Sequence, residues 1–329
     1  MKVPESFVWA SSSDTGLANT IVLACDADVP MNGPAVKYGL AGFEGLCVTH
    51  PEPNVALVFR PADHFRRFIE TARALGVTLP CTIPQMMEGL DDVLRQHSAA
   101  NYVDPVLGIV GDKAGVDPTG SPVRVVIRAT DGWTPERPYH DCGRHNGGIS
   151  VLISECRRST EYDGFPGFKA SCGYTKPATM KAAARLNHGV SDIIVRAPDG
   201  DHVAELSGAH LICVLPDGTF VTPDASANVL KNGVTLKTLR VLVRELFQMN
   251  IVERSISLSE LSSMREIIAC GTAVRVESVT KINSWEVGQD EWRGHPGPIA
   301  TQLRQVYHEV IHGAGLCQTG WCHKVDLVI

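Results

Sequence analysis

The chain has 329 residues, 44% of them hydrophobic and 20% charged, with a formal net charge of -6 and a pI near 6.1. That length exceeds what one hydrophobic core usually serves, so two domains or one large α/β unit are expected. The acidic balance leaves no basic footprint for nucleic acid, no apolar run approaches the roughly 20 residues of a membrane span, and Met1-Lys2-Val3-Pro4-Glu5 has no signal-peptide pattern, which implies a cytoplasmic protein.

In chain order, residues 1–30 alternate loosely, with Ile21 to Cys25 as the clearest strand. The glycine-rich run Tyr38 to Leu46 implies close backbone turns. Val55 to Phe59 reads as a strand running into Arg60-Pro61-Ala62-Asp63-His64, where Pro61 and Asp63 suit a helix start. Phe65, Phe68, Ile69, Ala72 and Leu75 mark one face of that helix, and a second helix is expected over Pro84 to Gln96. Strands follow at Tyr102 to Val110 and Val123 to Ala129. Thr130 to Gly148, rich in glycine, proline and polar residues, is the best linker candidate.

The second half opens on a strand, Ile149 to Cys156. After it come Phe168-Lys169-Ala170-Ser171-Cys172-Gly173-Tyr174, an alanine-rich helical run, a strand from Ser191 to Ala197, a Pro198-Asp199-Gly200 turn, and Val203-Ala204-Glu205-Leu206-Ser207-Gly208. Leu211 to Leu215 and Thr219 to Thr222 flank Pro216-Asp217-Gly218, a hairpin signal. A helix runs from Asn232-Gly233-Val234-Thr235 to about Gln248. Beyond it are a strand at Ile251 to Ile256, a short helix at Ser259 to Leu261, a turn between strands at Ala269 to Val274, and a last helix at Pro298 to Ile311. The 10 cysteines form no CxxC pair; Cys317 and Cys322 lie closest in sequence and read as reduced thiols, with a redox pair as the alternative. Cys172 reads as a small buried hydrophobe near Lys169.

A lysine, a tyrosine five residues on and a glutamate on the next strand suit one flat, charged cofactor. Around them, four blocks stand in order: Tyr38-Gly-Leu-Ala-Gly-Phe-Glu-Gly-Leu46 with Phe59-Arg60 and His64-x-x-Arg67; Lys169 with Tyr174; Glu205-x-x-Gly208 with Asn232-Gly-Val-Thr235; and Gly271-Thr272-Ala273 with Gly297-Pro298-Ile299. Together they resemble the fold-type IV pyridoxal-phosphate enzymes, and among them the branched-chain aminotransferases. The resemblance implies a two-domain α/β fold: a small N-terminal α/β domain over 1–136, an interdomain loop over 137–148, and a larger, barrel-like cofactor domain over 149–329. It implies a transferase that moves an amino group between an amino acid and a 2-oxo acid, with pyridoxal 5'-phosphate as cofactor, no metal, and a homodimer as the working form.

By the same resemblance Lys169 holds the cofactor as a Schiff base and then moves a proton. Glu205 faces the pyridine nitrogen and keeps the ring an electron sink, and Tyr174 bonds the ring's 3'-oxygen. Arg60 supplies a fork-shaped cation for the phosphate, helped by Thr272 and by the free N–H groups of Val234 and Thr235 at a helix start. Tyr38, Phe43, Tyr102, Trp133, Gly208, Thr272 and Ala273 match positions lining the substrate pocket.

Departures from the pattern concern the substrate. Where the family commonly reads Tyr-Ile-Arg-Pro, this chain has Tyr102-Val103-Asp104-Pro105, and Asp104 would repel a second carboxylate that the arginine attracts. Arg137 and Arg144 in the linker are the alternative cations, and His210 replaces an asparagine as a structural histidine. These changes suggest an aminotransferase specialised for secondary metabolism. A D-amino acid or (R)-amine transaminase, an aminodeoxychorismate-lyase-like enzyme and a non-catalytic relative remain the other readings, because fold alone does not fix chemistry.

Overall fold

The computed structural model describes residues 7–13, 18–27, 33–110, 117–131, 144–145, 147–160, 167–227 and 229–327. The chain divides into two compact units, one of Met1–Trp133, Phe168–Cys172 and Ile311–Ile329, the other of Thr134–Gly167 and Gly173–Val310.

In the first unit the strands are β1 Phe7–Ser12, β2 Thr20–Leu23, β3 Ala41–Phe43, β4 Leu46–Glu52, β5 Val55–Phe59, β6 Tyr102–Ile109 and β7 Val123–Thr130, joined by a C-terminal strand, Cys322–Asp326. They form one sheet in the order C-terminal strand, β5, β4, β6, β7, β1, β2, with β3 beside β6. A single turn, α1 (Pro34–Lys37), precedes β3; α2 (Pro61–Ala74) and α3 (Ile83–Gln96) follow β5. The start of α3 is fixed by a capping box: the Thr82 hydroxyl accepts from the Gln85 N–H, and the Gln85 carboxamide accepts from the Thr82 N–H at 2.8 Å. Phe65, Phe68 and Ala72 of α2 and Met86, Leu90, Val93 and Leu94 of α3 are all buried, as helical spacing requires.

The second unit holds β8 Arg144–His145, β9 Gly148–Arg157, β10 Asp192–Arg196, β11 Val203–Leu206, β12 His210–Val214, β13 Phe220–Thr222, β14 Ile251–Glu253, β15 Glu266–Gly271, β16 Arg275–Ile282 and β17 Trp285–Glu286. Their sheet runs β11, β10, β9, β16, β15, β12, β13, β14, with β8 on β9 and β17 on β16. Parallel and antiparallel neighbours mix: β9 is parallel to both β10 and β16, and β15 is antiparallel to β12 and β16. Ile149, Val151, Ile194, Leu206, Leu211, Ile267 and Val279 fill its core. Helices α4 (Cys172–His188), α5 (Val234–Phe247) and α6 (Pro298–Ile311) complete the unit, α6 ending where the chain passes back to the first unit.

Several boundaries differ from the sequence reading. The strand expected at 21–25 stops at Leu23, and Ala24–Ala27 winds into a 3-10 turn. The strand expected to reach Ile256 ends at Glu253, because a second capping box (Ser257 with Glu260) turns the following residues into the 3-10 helix Leu258–Ser263. The glycine-rich run, read only as close turns, contains β3 and the start of β4. The C-terminal strand has no strong sequence signature; it is held by pairing with β5, Cys322 opposite Phe59. Most of the segment 130–148 lies outside the described residues.

Trp9, 1% exposed, packs its indole against Gly89 in α3, where a Cβ would come within 2.5 Å of the ring. Gly89→Ala therefore sets a gain in helix propensity of up to about 1 kcal/mol against overpacking of about 1–3 kcal/mol. We expect a net loss in denaturant unfolding, recovered when Trp9→Leu makes room. A stabilised single variant would contradict this packing.

Candidate functional site

In the first unit the site begins with a buried carboxylate. Glu44 sits in the turn between β3 and β4, its N–H donating to the Pro105 carbonyl at 2.8 Å. Arg67 of α2 grips it with both edges of its fork, Nε to Oε1 at 2.7 Å and Nη2 to Oε2 at 2.8 Å, and His64 one turn earlier donates from Nδ1 to Oε2 at 2.8 Å. Burial alone would raise the Glu44 pKa, but the charge and hydrogen bonds of Arg67, with help from His64, hold it well below the usual carboxylate range. Burial pushes His64 down and outweighs the opposing pull of Glu44, so its imidazole is neutral near pH 7.

The same helix begins at Arg60, whose backbone lies in the left-handed region (φ 51°, ψ 45°). For a residue with a Cβ that costs roughly 1 kcal/mol or more. The cost is offset by a 2.6 Å bond from the Arg60 N–H to the Trp321 carbonyl, by Arg60 Nε to Asp63 at 2.7 Å, and by the guanidinium lying 5.0 Å from the centre of the Trp321 ring. The fork is buried to 7% exposure and pre-set.

Lys169 lies beside β3: Phe43 N–H donates to its carbonyl, its own N–H donates to Thr71 Oγ1 at 3.2 Å, and Gly42 bridges Ala170. Its Nζ stands 3.9 Å from the centre of the Phe43 ring. A Cβ on Gly42 would strike Thr71, and one on Gly45 would fall 1.8 Å from the Tyr102 hydroxyl, so both positions admit only glycine's backbone. Burial raises the Tyr102 pKa far above the phenol range, with the negative charges of Asp104 and Glu44 adding to it. Tyr38, at the end of α1, is 39% exposed. Asp104 does not stand alone: Arg128, directly opposite on β7, donates Nε to Oδ1 at 3.3 Å and Nη2 to Oδ2 at 2.7 Å. Trp133 and Arg137 lie outside the described residues, as does the side chain of Arg144.

In the second unit Glu205 is a buried carboxylate on β11, 2% exposed. It accepts from the Leu230 N–H at 3.1 Å, pairs with Arg158, and has His210 Nδ1 at 3.7 Å. Burial works against the Arg158 charge, yet Glu205 and the neighbouring Tyr174 raise its pKa on balance, so Arg158 links these two predicted residues. His210 also supports the start of α5: its Nε2 fills the space where a Cβ at Gly233 would fall, 2.3 Å away. Among the described residues that helix has no side-chain cap hydrogen bond at Gly233, which leaves its first N–H groups suited to an anionic acceptor. Thr235 is buried, 3.4 Å from the Tyr307 hydroxyl, and Val234 is buried beside it. Thr272 and Ala273 form the turn between β15 and β16, where Gly271 packs on Ala209; nothing crowds Gly208.

Each unit thus gathers its share of the expected residues: Arg60, Lys169, Phe43, Tyr38 and Tyr102 in one, Tyr174, Glu205, Gly208, Val234, Thr235, Thr272 and Ala273 in the other. Reading the sequence passed over Arg158, Trp321 and Arg128, and gave Glu44, His64 and Arg67 no role beyond pattern. The last three carried a signal, since His64 and Arg67 stand three apart on one helix face.

Removing the Glu44 charge leaves Arg67 buried without a counterion. Glu44→Gln should cost about 3–5 kcal/mol of stability at pH 7. The acid slope has a sign as well. The depressed Glu44 stabilises above the unfolded carboxylate pKa of about 4.3, and that part is lost as pH falls below it; neutral His64 adds a loss that begins below about pH 6.5. Thermal unfolding from pH 7 to 3 should show the carboxylate part missing in the variant. Equal stability at pH 7 would contradict this role.

The model of the amino-transferase class IV family matches residues 42–282. The branched-chain-amino-acid aminotransferase of Escherichia coli K12 is 27% identical over 305 residues, covering 92% of this chain and 94% of that protein. The probable branched-chain-amino-acid aminotransferase of Aquifex aeolicus is 25% identical, covering 89% and 90%. Among solved structures, the branched-chain aminotransferase of Thermoproteus uzoniensis with norvaline superposes with a TM-score of 0.83 at 22% identity, covering 97% of this chain and 99% of that one. The T.th. branched-chain amino acid aminotransferase complexed with N-(5'-phosphopyridoxyl)-L-glutamate gives 0.82 at 22%, covering 98% and 99%. The fold is that of the fold-type IV branched-chain aminotransferases, and the chain belongs to the amino-transferase class IV family.

Proposed function

We propose that this enzyme is a pyridoxal-phosphate-dependent transaminase of the branched-chain type, moving an amino group between an amino acid and a 2-oxo acid. The observation that carries the reading is the family match over residues 42–282, which contains Arg60, Lys169, Tyr174, Glu205, Thr235 and Thr272 in order. The donor set fits the cofactor: a buried carboxylate, an uncapped helix start with a buried hydroxyl, a pre-set arginine fork and a lysine amine are the groups that a pyridine ring, a phosphate and an aldehyde require. The relative bound to a phosphopyridoxyl-glutamate supports the same cofactor.

When bound, pyridoxal phosphate supplies an aldehyde for the amino group and a ring that takes up the electrons of the α-carbon. Lys169 would hold it covalently through Nζ. As a free amine, Nζ would take the proton from the substrate's α-carbon and return it. Glu205, fixed by Leu230 and Arg158, would supply the negative charge for the ring nitrogen. Tyr174 would bond the ring oxygen. By the resemblance, Arg60, Thr272 and the N–H groups of Val234 and Thr235 would take the phosphate, and Tyr38, Phe43, Tyr102, Gly208, Thr272 and Ala273 would border the substrate. The resemblance supports a homodimer. The bacterial relatives support a cytoplasmic location, and no helix among the described residues is long and apolar enough to cross a membrane.

The test is amine exchange by the cofactor-loaded protein, from L-glutamate to 4-methyl-2-oxopentanoate, with chiral analysis of the product. L-leucine is expected, with Lys169→Ala slower by about 10³-fold or more. A D product, no amine exchange, or a Lys169→Ala variant as fast as the parent would contradict the reading.

A further inference from the structure

Arg128 is a fork used on one edge only. Asp104 takes Nε and Nη2 along the side of the guanidinium, and no described residue bonds Nη1. The side chain is 54% exposed while that of Asp104 is 18% exposed. An exposed cross-strand ion pair contributes little to stability, so stability gives little reason for a carboxylate to grip this arginine side-on. Its effect is positional: the second edge of the fork is held in one direction.

The sheet register says where that edge sits. Arg128 opposes Asp104, Val126 opposes Val106, and Val106 in turn opposes Phe43. Directly opposed residues share a face, so Arg128, Asp104, Tyr102 and Phe43 lie on one face. Val103, Leu107, Val125 and Ile127 are buried on the other. Lys169 Nζ stands on the Phe43 ring of that first face. By strand geometry Arg128 is two residues, about 7 Å, along the sheet from the Phe43 row and two strand spacings, about 10 Å, across it. Two long side chains shorten that gap to the span of a small molecule. Arg124 shares the face on the opposite side of the Phe43 row, but it is buried to 8% exposure.

Resting on the transaminase reading above, we propose that Arg128, aimed by Asp104, is the specificity residue for a dicarboxylic substrate: its open edge takes the distal carboxylate of an amino acid such as glutamate, or of the matching 2-oxo acid. Asp104 then repels no substrate. It is a positioning residue whose charge is already neutralised, and the cation that position 104 itself lacks stands one strand away. A planar fork with one edge occupied is still able to bind a carboxylate in two-point fashion, which a lysine cannot do.

The experiment compares the holoenzyme with Arg128→Met, Arg128→Lys, Asp104→Asn and Arg124→Met, using L-glutamate and L-leucine as donors. A parallel thermal-shift series uses glutarate and pentanoate, which bind without reacting. In Arg128→Met the ratio of kcat/KM for glutamate to that for leucine should fall roughly 10- to 100-fold, mostly through KM. The extra stabilisation by glutarate over pentanoate should vanish. Arg128→Lys should recover part of both effects, Asp104→Asn should weaken both, and Arg124→Met should leave the ratio as it is. An unchanged ratio in Arg128→Met, an equal loss for both donors, or a loss that follows Arg124 instead would overturn the assignment. If the parent protein exchanges no amine at all, the transaminase reading fails, and the glutarate series still decides whether Arg128 selects dicarboxylates.

Discussion

One buried carboxylate organises the first unit. Glu44 cannot be left uncompensated away from water, since an isolated buried charge is worth several kcal/mol of penalty. Arg67 and His64 satisfy it, and because both sit on α2, the helix is locked in rotation and height against the β3–β4 turn. That lock has two consequences. The start of α2 places Arg60 in its left-handed conformation under Trp321, and Thr71, one turn beyond Arg67, receives the backbone of Lys169. A single electrostatic constraint thus positions a cation and an amine on separate stretches of chain.

The second unit repeats the device with different residues. Glu205 is buried and bonded by Leu230 and Arg158, and His210 stands within electrostatic reach while packing under Gly233. Fixing the carboxylate therefore also fixes the start of α5, whose N–H groups lack a side-chain cap. In both units the buried acid has a partner to which reading the sequence gave no role. In each unit a buried charge is anchored by charge inside the protein, a form of preorganisation.

How legible was this in the sequence? The long periodic elements were: α2, α3, α5 and α6, with the strands between them, follow from apolar spacing and from Pro61 and Pro298 as start signals, while the Thr82 cap of α3 emerged only in the structure. Short strands were not. β3 has three residues, and the C-terminal strand depends on pairing with β5 rather than on its own pattern. Lys169, Glu205 and Arg60 were picked out as candidates by order and spacing that resemble a known family. Arg158 and Trp321 were not, because their partners are distant in sequence and no local pattern announces the pairing. Asp104 shows the limit most clearly. Alone it read as a repelling charge; the register that sets Arg128 opposite it is a property of the sheet.

The proposed chemistry rests on one amine, that of Lys169, standing on the Phe43 ring. Borohydride reduction of the cofactor-loaded protein, followed by peptide mass mapping, addresses it directly. The reduced cofactor is expected on the peptide containing Lys169 and on no other. A label on a different lysine, or no label on fully loaded protein, would contradict the central role of that residue.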